Sequence, residues 1–201
     1  MIASTFYAGT LLVVDDFAAP SPPDSYFITL VNPDPTLLKT ADPNILTGER
    51  DLLVDVIGTP NVISASGQIG ENGGLTDYDF ASATPGTRAT LQYDGLDADD
   101  PGTPALVRHT TNPGVDLTDG GINTGFRLDF PMVQVGAGLT ELDLDVELLG
   151  PGGGTAGFSG TIPESNSPQS RFIPFSAFTT AGGFSFTDVN ILEFTLNDTA
   201  A

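Results

Sequence analysis

The chain contains no cysteine, so neither disulfide bonds nor thiolate metal centres are open to it. Tryptophan is absent too, which removes the most effective aromatic platform for stacking on sugar rings. Basic residues are scarce: 6 Lys and Arg stand against 26 Asp and Glu, for a formal net charge of -20. A chain this anionic cannot assemble the basic patch that nucleic acid requires, and anionic lipid surfaces repel it as well. There is one histidine, His109, so a two-histidine metal site is excluded. No apolar run approaches the roughly 20 residues of a membrane-spanning helix. The first fourteen positions lack the positive segment and unbroken apolar run of an export signal.

What remains is abundant in turn formers and apolar residues. The 201 residues include 24 Gly and 16 Pro, and 39% are hydrophobic. That mixture suits many short strands joined by tight turns, with a core large enough to fold without cross-links. Strict alternation is clearest from Thr140 to Leu148. There Leu142, Leu144, Val146 and Leu148 share one face and Glu141, Asp143, Asp145 and Glu147 the other. Thr87 to Asp94 repeats the pattern, with Ala89, Leu91 and Tyr93 inward and Arg88, Thr90 and Gln92 outward. Gly125 to Phe130 sets Phe126, Leu128 and Phe130 against Arg127 and Asp129, and Ile191 to Leu196 buries Leu192, Phe194 and Leu196.

Further strands are expected at Leu11 to Phe17, Tyr26 to Val31, Glu49 to Ile57, Val62 to Gln68, Leu75 to Phe80, Ala105 to His109, Met132 to Val135, Gly157 to Ile162 and Arg171 to Pro174. Turn sequences such as Asn72-Gly73-Gly74 and Pro151-Gly152-Gly153-Gly154 bound them and leave little room for helices. One helical turn is expected between Pro174 and Thr179, where Phe175 and Phe178 lie three apart. The segments Ala19 to Asp24 and Asn32 to Asn44 read as surface loops, and the thirteen Phe as core. The expected fold is all-β: a two-sheet antiparallel sandwich of the jelly-roll kind, with at most one or two short helical turns. Residues 14–201 form a single domain; residues 1–13 are an N-terminal extension whose strand-like stretch, Ala3 to Tyr7, is a candidate donor strand.

Landmarks along the chain fall into a family-like order: Val14-Asp15-Asp16-Phe17, Leu46-Thr47-Gly48-Glu49-Arg50-Asp51-Leu52, Ala89-Thr90-Leu91-Gln92-Tyr93-Asp94-Gly95, Gly114-Val115-Asp116-Leu117-Thr118-Asp119-Gly120-Gly121, and the closing Asp188 to Leu196. Together they resemble bacterial secreted β-sandwich domains of the kind carried by PEP-CTERM sorting-domain proteins. The opening Asp-Asp-Phe and the closing strand are also similar to jelly-roll carbohydrate-binding modules. The resemblance implies an extracellular or cell-surface location. The similar domains continue into one more strand and a sorting tail after the last landmark, whereas this sequence ends at Ala201. Either the sequence is a piece of a longer protein, or a strand is missing that another chain could supply.

The acids cluster at Asp15-Asp16, Glu49 with Asp51, Asp97-Asp99-Asp100, and Asp116 with Asp119, positions that read as strand ends or loops. Calcium takes six to eight oxygens, and acidic loops supply them well. The resemblance to jelly-roll modules, which often hold a structural calcium near the ends of the domain, makes Asp15, Asp16, Glu49 and Asp51 the candidate calcium ligands. The competing reading is a solvated acidic surface. Tyr78, flanked by Asp77 and Asp79, is the candidate for stacking on a sugar whose hydroxyls the acids would bind. Arg50 and Arg127 read as structural ion-pair partners. No Walker loop, nucleophile elbow or zincin motif occurs, and Gly152-Gly153-Gly154 is a turn rather than a phosphate cradle. The function expected is therefore not enzymatic. It is a structural or adhesive extracellular module, self-assembling or docking to neighbouring domains and stabilised by calcium. The alternative is a carbohydrate-binding module that recognises polysaccharide.

Overall fold

The computed structural model describes residues 24–29, 36–41, 46–56, 63–69, 76–82, 87–96, 106–109, 113–130, 133, 135 and 139–198. The expected strand at Leu11 to Phe17 and the extension at 1–13 lie outside the described residues. The strands are β1 (Asp24–Thr29), β2 (Thr36–Ala41), β3 (Glu49–Val56), β4 (Ile63–Ile69), β5 (Thr76–Ser82), β6 (Thr87–Tyr93), β7 (Gly125–Phe130), β8 (Glu141–Leu149), β9 (Thr155–Pro163), β10 (Gln169–Pro174), β11 (Thr179–Ala181) and β12 (Ile191–Asp198). Two 3-10 turns, Pro151–Gly153 and Phe175–Ala177, are the helical elements among the described residues.

Every ladder is antiparallel. The main sheet has seven strands in the order β11-β9-β8-β12-β6-β3-β2. A second sheet of three strands runs β1-β4-β5, and β10 and β7 form a two-stranded ribbon. The all-β sandwich expected from alternation is thus the fold observed. Three details differ from expectation. The stretch Asn32 to Asn44 contains a strand, β2, rather than only loop. Residues 106–109 run in no strand, and of the described residues within the expected strand Met132 to Val135, Val133 pairs in an isolated bridge to Ser165 and Val135 lies in no strand. Pairing needs a partner edge, which an apolar run cannot guarantee by itself.

The core sits on one face of the main sheet. Leu142, Leu144, Val146 and Leu148 of β8 are buried at alternate positions, and their neighbours on β12 and β6 are Leu192, Phe194, Leu196, Leu91 and Tyr93. Each fully buried aliphatic side chain contributes about 1.5–3 kcal/mol relative to exposure. The ribbon covers this face through aromatic contacts. Phe126 of β7 meets Phe194 of β12 edge-on, with ring centroids 5.7 Å apart. Phe175 and Phe178, from the expected helical turn, extend the layer: Phe178 packs on Phe126 and Phe158, and Phe175 stacks on Phe186 at 4.3 Å. The β8–β9 hairpin closes through Gly152 and Gly153, both at positive φ (78° and 84°), where a side chain would be strained. Not every phenylalanine is core: Phe172, on β10, is 55% exposed.

Candidate functional site: the polar face of the main sheet

The opposite face of the main sheet carries a row of polar positions set by register. Asp51 on β3 stands opposite Gln92 on β6, Gln92 opposite Glu193 on β12, and Glu193 opposite Glu147 on β8. Lys39 on β2 extends the row at one end and Gly157 on β9 at the other. With strands about 4.8 Å apart, the span from Asp51 to Glu147 is roughly 14 Å. A parallel row two residues along holds Thr90, Thr195, Asp145 and Ser159. Within it the Thr90 and Thr195 hydroxyls lie 3.2 Å apart, and the Ser159 hydroxyl donates to Asp145 Oδ1 at 2.6 Å.

Alternation predicts that this face is wet, and at β8 it is: Glu141 and Asp145 are exposed. On β6 the expectation fails. Thr90 and Gln92, assigned outward, are buried, Gln92 completely. Glu193 is buried beside them. Part of the cover is the irregular segment 106–109, tied down at two points. Arg108 Nε donates to Glu193 Oε1 at 3.0 Å, and its Nη2 donates to both Glu193 Oε2 and Glu147 Oε2. One residue on, the His109 amide donates to Asp94 Oδ2 at 2.9 Å. Beneath the arginine, Gln92 Nε2 donates to Glu193 Oε1 at 2.7 Å. Glu193 therefore holds an amide and a guanidinium at once. Hydrogen bonding to Glu193, outweighing partial burial, moves the Arg108 guanidinium above its already high ordinary range, so it stays cationic.

The residues singled out from sequence are scattered by this architecture. Glu49 opens β3, at a strand end as expected, and Asp51 lies two residues into the strand; both are buried on the polar face of the sheet. Positions two apart on a strand are about 6.8 Å distant, so these two acids alone do not make a six- to eight-oxygen shell. Asp15 and Asp16, the other half of the expected calcium set, lie outside the described residues. Among the described residues, no group of three or more His, Asp or Glu is placed to hold a metal ion. Asp77, Tyr78 and Asp79 lie in β5, in register with Gln68, Gly67 and Ser66 of β4. Successive strand positions fall on opposite faces, so Tyr78 occupies one face of that sheet and its two acidic neighbours the other.

Asp116 serves its own turn. Its Oδ1 accepts from the Thr118 amide (2.8 Å) and hydroxyl (2.6 Å), and its Oδ2 accepts from the Gly120 amide (3.1 Å). The Thr118 hydroxyl above all, with the amides, holds this carboxyl below the usual aspartate range. Arg127 forms the ion pair expected of it, with Asp129 at 2.9 Å, and Arg50 is buried. Arg108, Gln92 and Glu193 were not singled out. Their signal was Glu193 itself, one acid between the buried Leu192 and Phe194 of β12. Among the described residues no helix is long and apolar enough to cross a membrane. Compared with models of known families and with curated proteins, the chain matches none.

Proposed function

We propose that this chain is a non-catalytic extracellular module with a structural and adhesive role, associating with further copies or with neighbouring domains. The observation that carries this reading is the Arg108 clasp. The most buried acid in it, Glu193, is committed to Gln92 and Arg108, so the group best placed for proton transfer is a fastener instead. Charge on the sheet holds a segment in place rather than facing a reactant. Stabilisation by calcium belongs to the same reading: Glu49 and Asp51 on β3 would act with Asp15 and Asp16 to bind it. A cation there would also offset the self-repulsion of a -20 chain.

Sedimentation velocity and thermal melts of the full chain, with calcium or with a chelator, test the proposal. Species that grow with protein concentration, and a melting temperature raised by calcium, are the expected results. A monomer at every concentration, with identical melts in both buffers, would overturn it. A carbohydrate-binding role is the second reading, and the exposed ring of Phe172 is the observation that favours it.

A further inference from the structure

The outward face of the β7–β10 ribbon carries an aromatic ring, a cation, an anion and a hydroxyl within one register step of each other. Phe172 stands opposite Arg127, and Ser170 opposite Asp129. Alternation along both strands puts these four on the face away from the core, while Phe126 and Ile173 point into it and are buried. The Phe172 ring reaches diagonally over Gly125: a Cβ built there would lie 2.8 Å from its Cζ and 2.3 Å from the Ile173 carbonyl oxygen. Glycine at 125 therefore lets the ring settle against the backbone, and the ring still remains 55% exposed.

The polar groups beside it retain unused capacity. Asp129 Oδ1 accepts from Arg127 Nε at 2.9 Å and from the Ser170 hydroxyl. Among the described residues, the terminal nitrogens of Arg127 and the Oδ2 of Asp129 make no hydrogen bond. Their side chains are more than half exposed. An apolar ring with adjacent free donors and a free acceptor matches a pyranose, whose C–H face stacks on aromatics and whose hydroxyls both donate and accept. The Arg127–Asp129 pair is locally neutral, and the chain as a whole carries -20. A polyanionic glycan would be repelled by that field, whereas an uncharged one would not.

We propose that this ribbon face binds a neutral polysaccharide, with Phe172 stacking on a sugar ring and Arg127 and Asp129 holding its hydroxyls. The inference deepens the adhesive part of the proposed function, at a place on the fold other than Tyr78. The two readings fail separately, because self-assembly is read by sedimentation and this face by its effect on migration.

The test is affinity electrophoresis of the full chain through gels containing laminarin, galactomannan, xyloglucan or, as the polyanion, alginate. Retardation by at least one neutral polymer and none by alginate is expected. Phe172→Ala should weaken binding by about tenfold or more, and Phe172→Trp, with its wider platform, should keep or strengthen it. Should Phe172→Ala melt early through loss of its cover on Gly125, the surface variant Arg127→Leu reads the same face and is expected to weaken retardation severalfold. No retardation by any neutral polymer overturns the proposal, as does retardation that the Phe172 and Arg127 variants leave unchanged. Self-association that depends on Phe172 without any sugar overturns it too, since the face would then be a contact between copies.

Discussion

Strands β8 and β6 carry nearly the same alternation, yet their outward faces have opposite fates. On β8, Glu141 and Asp145 meet solvent. On β6, Thr90 and Gln92 are buried with Glu193 of the neighbouring β12. The strands differ in what lies above them. Segment 106–109 is clasped over β12 and the Glu147 end of β8 through Arg108, and is anchored beyond the end of β6 through Asp94. Alternation therefore tells which residues share a face, not whether that face is wet. A polar side chain under cover must find partners, because an unpaired buried group costs about 1–3 kcal/mol. Glu193 accepts from both the Gln92 amide nitrogen and the Arg108 guanidinium.

The comparison can be broken in stages. The shared inward face sets the largest effect. Leu148 of β8 is completely buried, so Leu148→Ala should cost about 3–4 kcal/mol in urea unfolding through lost transfer energy and a cavity. The two outward acids separate the strands. Glu193→Ala leaves the Gln92 amide and the arginine without their shared acceptor and should cost about 2–3 kcal/mol. Asp145→Ala, on the wet part of the same face, should stay within about 0.5 kcal/mol. Equal costs at the two positions would remove the distinction between a covered and an open polar face.

Arg108→Ala sharpens the cause. The guanidinium is partly exposed, so the expected loss is about 1 kcal/mol, with faster deuterium exchange at the His109 amide as the clasped segment loosens. The smallest effect belongs to Asp116, which lies outside both strands. Its folded-state pKa is depressed, so the stabilisation it gives its turn is complete above the unfolded value and is lost as pH falls through the folded one. Carboxyl carbon shifts followed by NMR should therefore show Asp116 titrating at a pH below about 3.9, with its turn loosening only in that acid range. A midpoint at or above that value would show the turn bonds to be weak in solution.

Much of the fold was legible from residue order. The alternations at Thr87, Gly125, Thr140 and Ile191 all became strands, and the Phe175–Phe178 spacing became a helical turn. The segment around β2 was missed because Asn32-Pro33-Asp34-Pro35 is strong turn chemistry that masks the short apolar pair Leu37-Leu38 behind it. The site was much less legible. Glu49 and Asp51 read as acids at a strand end or in a loop, and β3 does begin at Glu49, but their burial depends on neighbours that the local sequence does not record. Phe172 looked like core because phenylalanine usually is, but its partner position is Arg127 on the solvent face of the ribbon.

By itself the sequence determined an all-β, cysteine-free and strongly anionic chain, and which side chains share a face, because alternation is a local property of extended backbone. Only the tertiary structure decided that Glu193 would be covered by an arginine 85 residues earlier and that Phe172 would be left in solvent. Such outcomes depend on which distant segments meet and at what register. Periodicity within one strand carries no record of the neighbours it will acquire.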